Sequence, residues 1–238
     1  MFAILIHIYY KDSWEMIFRE KLKTIGDTEC QLLINLSMDI IDKQTLVTNI
    51  LIDFPKAFII ESPNIGKDIG GKLALIDLLL KLDLRPPLLV LLHDKRSPQA
   101  IMGERWRNKL LNIIEPNVIS RIQRMFSKDE DLGIVGAKDF IINEYDKNNT
   151  SRNNNEILSL LVKRYSLQTD DHHFIGGTMF WVRTEPFLDF FRVFPPLECR
   201  KQLEAGNILD VRNGTYTHSW ERLFCWISIA KGYKLKGI

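Results

Sequence analysis

KAFIIESPNIGKDIGGKLALIDLLLKLDLRPPLLVLLH, residues 56–93, holds two apolar runs separated by a glycine-bearing loop and a helical stretch. KAFIIES predicts a strand over 56–62, the loop covers 63–71, KLALIDLLLKL predicts a helix over 72–82, and PPLLVLLH enters a further strand through two prolines. A strand, a crossover helix and a second strand make the unit of a parallel sheet. The strand runs are continuously apolar rather than alternating, which fits strands covered on both faces.

The same rhythm extends upstream. FAILIHI (2–8) reads as a buried strand, Asp12 or Ser13 can cap a helix through WEMIFREKLKTI, and Gly26-Asp27 stops it. CQLLINLS (30–37) is the next strand, and 43–53 carries a short helical pattern. Downstream, GERWRNKLLNII and NVISRIQRMF are amphipathic helices separated by Pro116, and DLGIVGA (131–137) is a strand. NEYDKNNTSRNNN (143–155) reads as a polar loop. A helix near 156–166 precedes HHFIGGTMFWVR (172–183), strand-like around its glycine pair; EPFLDFFRVF is a short helix, 195–217 looks irregular, and a helix through SWERLFCWISIAKGY closes the chain. With no internal repeat or clear linker, a single α/β domain over 1–238 is expected.

Composition narrows the partners. The net charge of +2 gives no signature of bulk polyanion binding, so nucleic acid is not an expected partner. The three cysteines are odd in number and without metal-ligand spacing, which fits buried thiols in a reducing, cytoplasmic compartment. The apolar start is too short to span a bilayer and lacks the flanks of a signal peptide. Peripheral contact with the inner face of a membrane remains compatible, through Arg105, Arg107, Lys109, Arg121 and Arg124, although a solvated basic face explains them equally.

Ligands of open α/β sheets lie beyond the carboxyl ends of the strands. Four segments there can carry chemistry. In PNIGKDIGGK (63–72), Gly66, Gly70 and Gly71 admit close backbone approach and Lys67 adds a cation; a turn using glycine for its backbone angles is the plain alternative. In HDKRSP (93–98), Lys95, Arg96 and Ser97 suit a phosphate, while Asp94, with His93, could take a divalent metal; a solvated loop is the alternative. In FIGGTMFWVR, a sugar or base could lie against Phe180 or Trp181, against the commoner fate of core packing. In THSWERLF (217–224), Glu221 sits among aromatics, either as a dipole partner or as a general base.

Taken in order, HIYY, NIGKDIGG, LLHDKRSP, GERWRNKLL, LGIVGA, GGTMFWVR, ERLF and GY resemble the rhamnan synthesis protein F family over Ile6 to Tyr233. The resemblance implies a GT-A-like (Rossmann-like) glycosyltransferase with a mixed, mostly parallel sheet flanked by helices. It implies transfer of rhamnose or a similar sugar, from dTDP-rhamnose or a UDP-sugar, to a growing cell-surface polysaccharide or lipid-linked glycan. Donor contacts would come from His7, Tyr9, Tyr10, Asn64, Gly66, Lys67, Asp68 and Gly70, with His93, Lys95 and Ser97 matching the family's His-x-Lys-x-Ser. Gly176, Gly177, Thr178 and Trp181 would line the acceptor side, and Glu221 would be the base of an inverting displacement. Trp106 and Arg107 would contact donor phosphate or acceptor, or else merely pack. The usual Asp-x-Asp is missing. That favours fixed cations over Mg or Mn, with Asp94 the one residue left for a metal. Two other readings stay open: a non-catalytic module binding sugar nucleotide or glycan, and a phosphate-ester enzyme with Asp94 as nucleophile.

Overall fold

A computed structural model describes residues 1–26, 30–94, 100–146, 155–211 and 213–238. Its strands are β1 (Phe2–Ile8), β2 (Cys30–Ser37), β3 (Phe58–Ser62), β4 (Leu88–His93), β5 (Leu132–Gly136), β6 (Ile141–Asn143), β7 (His173–Ile175), β8 (Phe180–Arg183) and β9 (Lys234–Gly237). The α-helices are α1 (Arg19–Ile25), α2 (Lys43–Asp53), α3 (Lys67–Lys81), α4 (Ala100–Leu111), α5 (Pro116–Lys128), α6 (Asn155–Tyr165), α7 (Thr184–Val193), α8 (Pro196–Arg200) and α9 (Tyr216–Ile229). Seven strands form one sheet in the order β3-β2-β1-β4-β8-β5-β9, and β6 pairs with β7. Within the large sheet β8 runs against its neighbours β4 and β5 while the other pairings are parallel. The expected mixed, mostly parallel sheet flanked by helices is the observed architecture.

The continuous apolar runs have the anticipated cause. Along β1, Phe2, Ile4, Ile6 and Ile8 face one core while Ala3 and Leu5 face the other. Helices α1, α2 and α5 cover the first face, and α3, α7 and α9 the second. A fully buried Leu or Ile contributes about 1.5–3 kcal/mol, so a strand buried on both faces has few polar positions to spare. His7, Asn35 and His93 are among the exceptions, and they stand side by side near the carboxyl ends of β1, β2 and β4.

Four expectations are corrected. Helix α3 begins at Lys67 rather than 72, so Gly70 and Gly71 are helical. Space dictates the glycines: a Cβ on Gly70 would stand 1.7 Å from the Ile65 carbonyl oxygen, and one on Gly71 2.2 Å from His7 Nδ1. The helix before β2 opens at Trp14–Phe18 in π-helical winding, without a side-chain cap from Ser13. HHFIGGTMFWVR is not one strand but two, β7 and β8, in different sheets. Gly177 (φ 86°) and Thr178 (φ 49°) turn the chain between them. Finally, the region after 195 contains α8, and β9 adds a strand at the end of the sheet.

Candidate active site

At the carboxyl edge of the sheet, a buried lysine gathers the residues. Lys72, one turn into α3 from Asp68, is fully enclosed, and its ammonium contacts Asp68 Oδ2 (2.8 Å), the Thr178 carbonyl (2.8 Å), Thr178 Oγ1 (2.5 Å) and His93 Nδ1 (3.0 Å). Thr178 in turn donates its hydroxyl to Asp68 Oδ2 at 2.6 Å. Burial by itself would raise the Asp68 pKa. The charges of His93 and Lys72, with the hydrogen bonds from Lys72 and Thr178, outweigh it and hold the carboxyl well below its ordinary range. An ammonium removed from water in this way costs several kcal/mol unless paired and hydrogen-bonded, as it is here.

The turn carrying Thr178 also holds Glu221. Gly177 donates its amide to Glu221 Oε1 at 2.7 Å, and Arg222 Nη1 reaches Oε2 at 2.8 Å. Arg222 is itself buried, paired through Nε with buried Glu144 at 2.9 Å and lying over the Phe174 ring. Glu221, still 22% exposed at its side chain, is thus aimed from two sides. One turn earlier on α9, His218 Nδ1 lies 2.6 Å from Thr215 Oγ1 and 3.8 Å from Asp210. Burial lowers the His218 pKa, opposed by Asp210 and Glu221 and reinforced by Lys67 and Arg222.

The first loop and the α3 loop meet through residues from far along the chain. Asn207 Nδ2 donates to the Tyr9 hydroxyl and its Oδ1 accepts from Asn64, both at 3.2 Å. Gly66 donates its amide to the Glu204 carbonyl at 2.7 Å, and Arg200 binds the Pro63 and Gly70 carbonyls. Glu204 closes the assembly by accepting the Tyr216 and Thr217 amides at the start of α9. Gly66 and Lys67 both hold positive φ, 73° and 51°. Strained non-glycine backbone of this kind collects at functional sites, and Lys67 and Thr178 both show it.

The predicted residues fall into three groups. Tyr9, Tyr10, Asn64, Gly66, Lys67, Asp68, His93, Gly177, Thr178 and Glu221 gather around this edge. Lys95 and Ser97, with Arg96, lie outside the described residues. His7, Gly70, Gly176, Trp181 and Asp94 serve the scaffold instead. His7 is buried against Gly71, with Nδ1 2.8 Å from Asn35 Nδ2, and burial lowers its pKa to about 4. Gly70 packs on the Ile65 carbonyl rather than on a ligand. Gly176 is buried and donates its amide to the Phe140 carbonyl at 2.8 Å. Trp181 is fully buried on the opposite face from Phe180, with Nε1 bonded to the Ile113 carbonyl at 2.9 Å, so it lines no acceptor.

Asp94 fits a metal poorly. Its two oxygens accept the Tyr9 and Tyr10 amides at 2.7–2.9 Å, it is 4% exposed, and no group of three or more His, Cys, Asp or Glu side chains suited to a metal occurs among the described residues. Burial pushes its pKa up to about 7 against the pull of those amides. The carboxylate shapes the loop after β1. Sequence reasoning missed Lys72, Asn207, Glu204 and His218. Only Lys72 left a trace, a cation spaced i,i+4 from Asp68 within an apolar helix.

A family model described as rhamnan synthesis protein F matches residues 1–233. None of the curated proteins matches the chain. Among solved structures, the mannosyltransferase PcManGT from Pyrobaculum calidifontis, in complex with GDP-Man and Mn2+, aligns with a TM-score of 0.45 at 13% identity. The alignment covers 99% of this chain and 54% of that one, so this chain spans about half of its length.

Proposed function

We propose, because the chain belongs to the rhamnan synthesis protein F family, that it is an inverting glycosyltransferase. It moves rhamnose or a similar sugar from dTDP-rhamnose or a UDP-sugar to a growing polysaccharide or lipid-linked glycan. One observation carries the reading: a single turn, Gly177-Thr178, joins Glu221 on one side to Asp68, Lys72 and His93 on the other. A displacement at an anomeric carbon needs a base on one face and charge stabilisation on the other, held in fixed relation.

In this reading Glu221 receives the acceptor hydroxyl proton as that oxygen attacks. A carboxylate offers about four acceptor positions, so the bonds from Gly177 and Arg222 leave room for the incoming hydroxyl. The leaving diphosphate meets Lys67 and the first amides of α3, whose dipole favours negative charge. Tyr9 and Tyr10, with ring centroids 5.0 Å apart, and Asn64 supply surface for the base and ribose. Lys72 holds the turn in place. The enzyme works at the cytoplasmic face of a membrane, with Arg121 and Arg124 exposed toward anionic lipid. Among the described residues no helix is long and apolar enough to cross a membrane.

A second reading, a non-catalytic module binding sugar nucleotide, draws on the ion pair that fixes Glu221 to Arg222. A thermal-shift screen of dTDP- and UDP-sugars, followed by a turnover assay on the stabilising donor, separates the two. Stabilisation with release of nucleotide supports the transferase, and stabilisation without hydrolysis or transfer supports the module. If none of these donors stabilises the chain, the donor assignment is wrong.

A further inference from the structure

An open cleft of about 700 Å³ lies on the same edge of the sheet, where β5 and β9 end. One wall is the face of α4 bearing Arg105 and Asn108, continued by Asn112; the other is the chain just past β5, from Ala137 to Asp139, with Ile238 after β9. Lys109 and Asp139 tie the two walls together. The cleft is linked to the candidate base by backbone. Phe140, beside Asp139, accepts the Gly176 amide at 2.8 Å, and the next amide, of Gly177, holds Glu221.

We propose that this cleft receives the acceptor, as the non-reducing end of a hydroxyl-rich glycan. A pyranose presents apolar C–H faces and a rim of hydroxyls, and the cleft offers the matching surfaces. Ala137 and Ile238 are apolar, while Asn108, Asn112 and Arg105 offer amide and guanidinium groups. Trp106, on the same helix and 40% exposed, stacks on Phe140 at 5.5 Å and ties α4 to the segment after Asp139. The lining carries charges of both signs, which suits a neutral glycan better than a polyanion. That the glycan is the acceptor rests on the transferase reading; that the cleft binds a glycan does not.

The test is chemical-shift mapping on the full chain with a panel of rhamnose-containing di- and trisaccharides, and separately with dTDP and UDP. The saccharides are expected to shift the side-chain amides of Asn108 and Asn112. Asn108→Trp, at an exposed position, should abolish those shifts and leave nucleotide shifts near Tyr9 and Asn64 intact. In turnover, the same variant should raise the acceptor KM about tenfold or more with donor hydrolysis unchanged. Saccharide shifts that miss the cleft, no shifts with any of the panel, or an unchanged acceptor KM in Asn108→Trp would overturn the proposal. Failure of nucleotide binding and turnover, with cleft shifts preserved, would instead overturn the transferase reading alone.

Discussion

Thr178 donates its hydroxyl to Asp68 at 2.6 Å across 110 positions of sequence. This bond sews the turn between β7 and β8 onto the first turn of α3, and Lys72 reinforces it by binding both residues. The neighbouring amide of Gly177 fixes Glu221, so the start of α3 and the candidate base are bonded to one piece of backbone. Catalytic geometry is sensitive to displacements of an ångström, and a turn bonded on both sides resists them.

Lys72→Met should be costly. It takes the Lys72 ammonium from the Asp68 carboxylate and leaves the Thr178 carbonyl without its donor, a class of loss worth about 3–5 kcal/mol. Urea unfolding monitored by fluorescence gives the number. A loss under about 1 kcal/mol would mean that the lysine does not hold the turn.

Glu221→Gln keeps an oxygen for the Gly177 amide and removes the carboxylate. Nucleotide affinity should stay within about threefold while turnover falls at least a hundredfold, as for removal of a general base. Isothermal titration with dTDP and UDP, set beside initial rates, provides both readouts. Wild-type turnover in this variant would remove the assigned base.

Two buried groups give opposite pH dependences. The folded-state pKa of Asp94 is raised from 3.8 to about 7, so the folded protein holds the extra proton in that window and the Asp94 contribution to stability falls as pH rises through it. His7 is lowered from 6.5 to about 4, so its contribution is present above 6.5 and is lost as pH falls toward 4. The wild-type curve mixes the two. Subtracting the stability of Asp94→Asn from that of wild type should give a difference declining between pH 4 and 7, and subtracting His7→Gln one rising between pH 4 and 6.5. A flat difference in either case contradicts the assigned shift.

Gly70→Ala is the sharpest test of the α3 packing. The added methyl would stand 1.7 Å from the Ile65 carbonyl oxygen, which is backbone and has little freedom to retreat. Overpacking of this kind costs about 1–3 kcal/mol. Gly70→Ala should therefore lower the Tm and disturb the neighbouring Gly66 turn, weakening nucleotide binding as well.

Part of the candidate site's placement was readable residue by residue. Tyr9, Asn64, Asp68, His93 and Glu221 stand where a strand or its following loop reaches the carboxyl edge, or at the start of a late helix, and local pattern marks such places. Trp181 shows the limit. Its place in a strand-like segment was legible, but which face turns toward a ligand depends on what packs on each side. The glycines at 70 and 71 misled in the same way. They read as a loop, either for an anion or for a plain turn; they are helical, and glycine is needed there because His7 of β1 and the Ile65 carbonyl leave no room for a Cβ.

The sequence by itself determined the alternation of strands and helices and the double-sided burial of β1, β2 and β4, because those depend on the spacing of apolar residues along a short stretch. The tertiary structure alone decided that Lys72 would be enclosed, that Asn207 would reach Tyr9, and that Asp94 would turn its oxygens inward to two amides. Each depends on groups tens to hundreds of positions apart meeting in a space from which water is excluded. Local spacing carries no record of such a meeting, and within that space one unpaired charge would cost several kcal/mol.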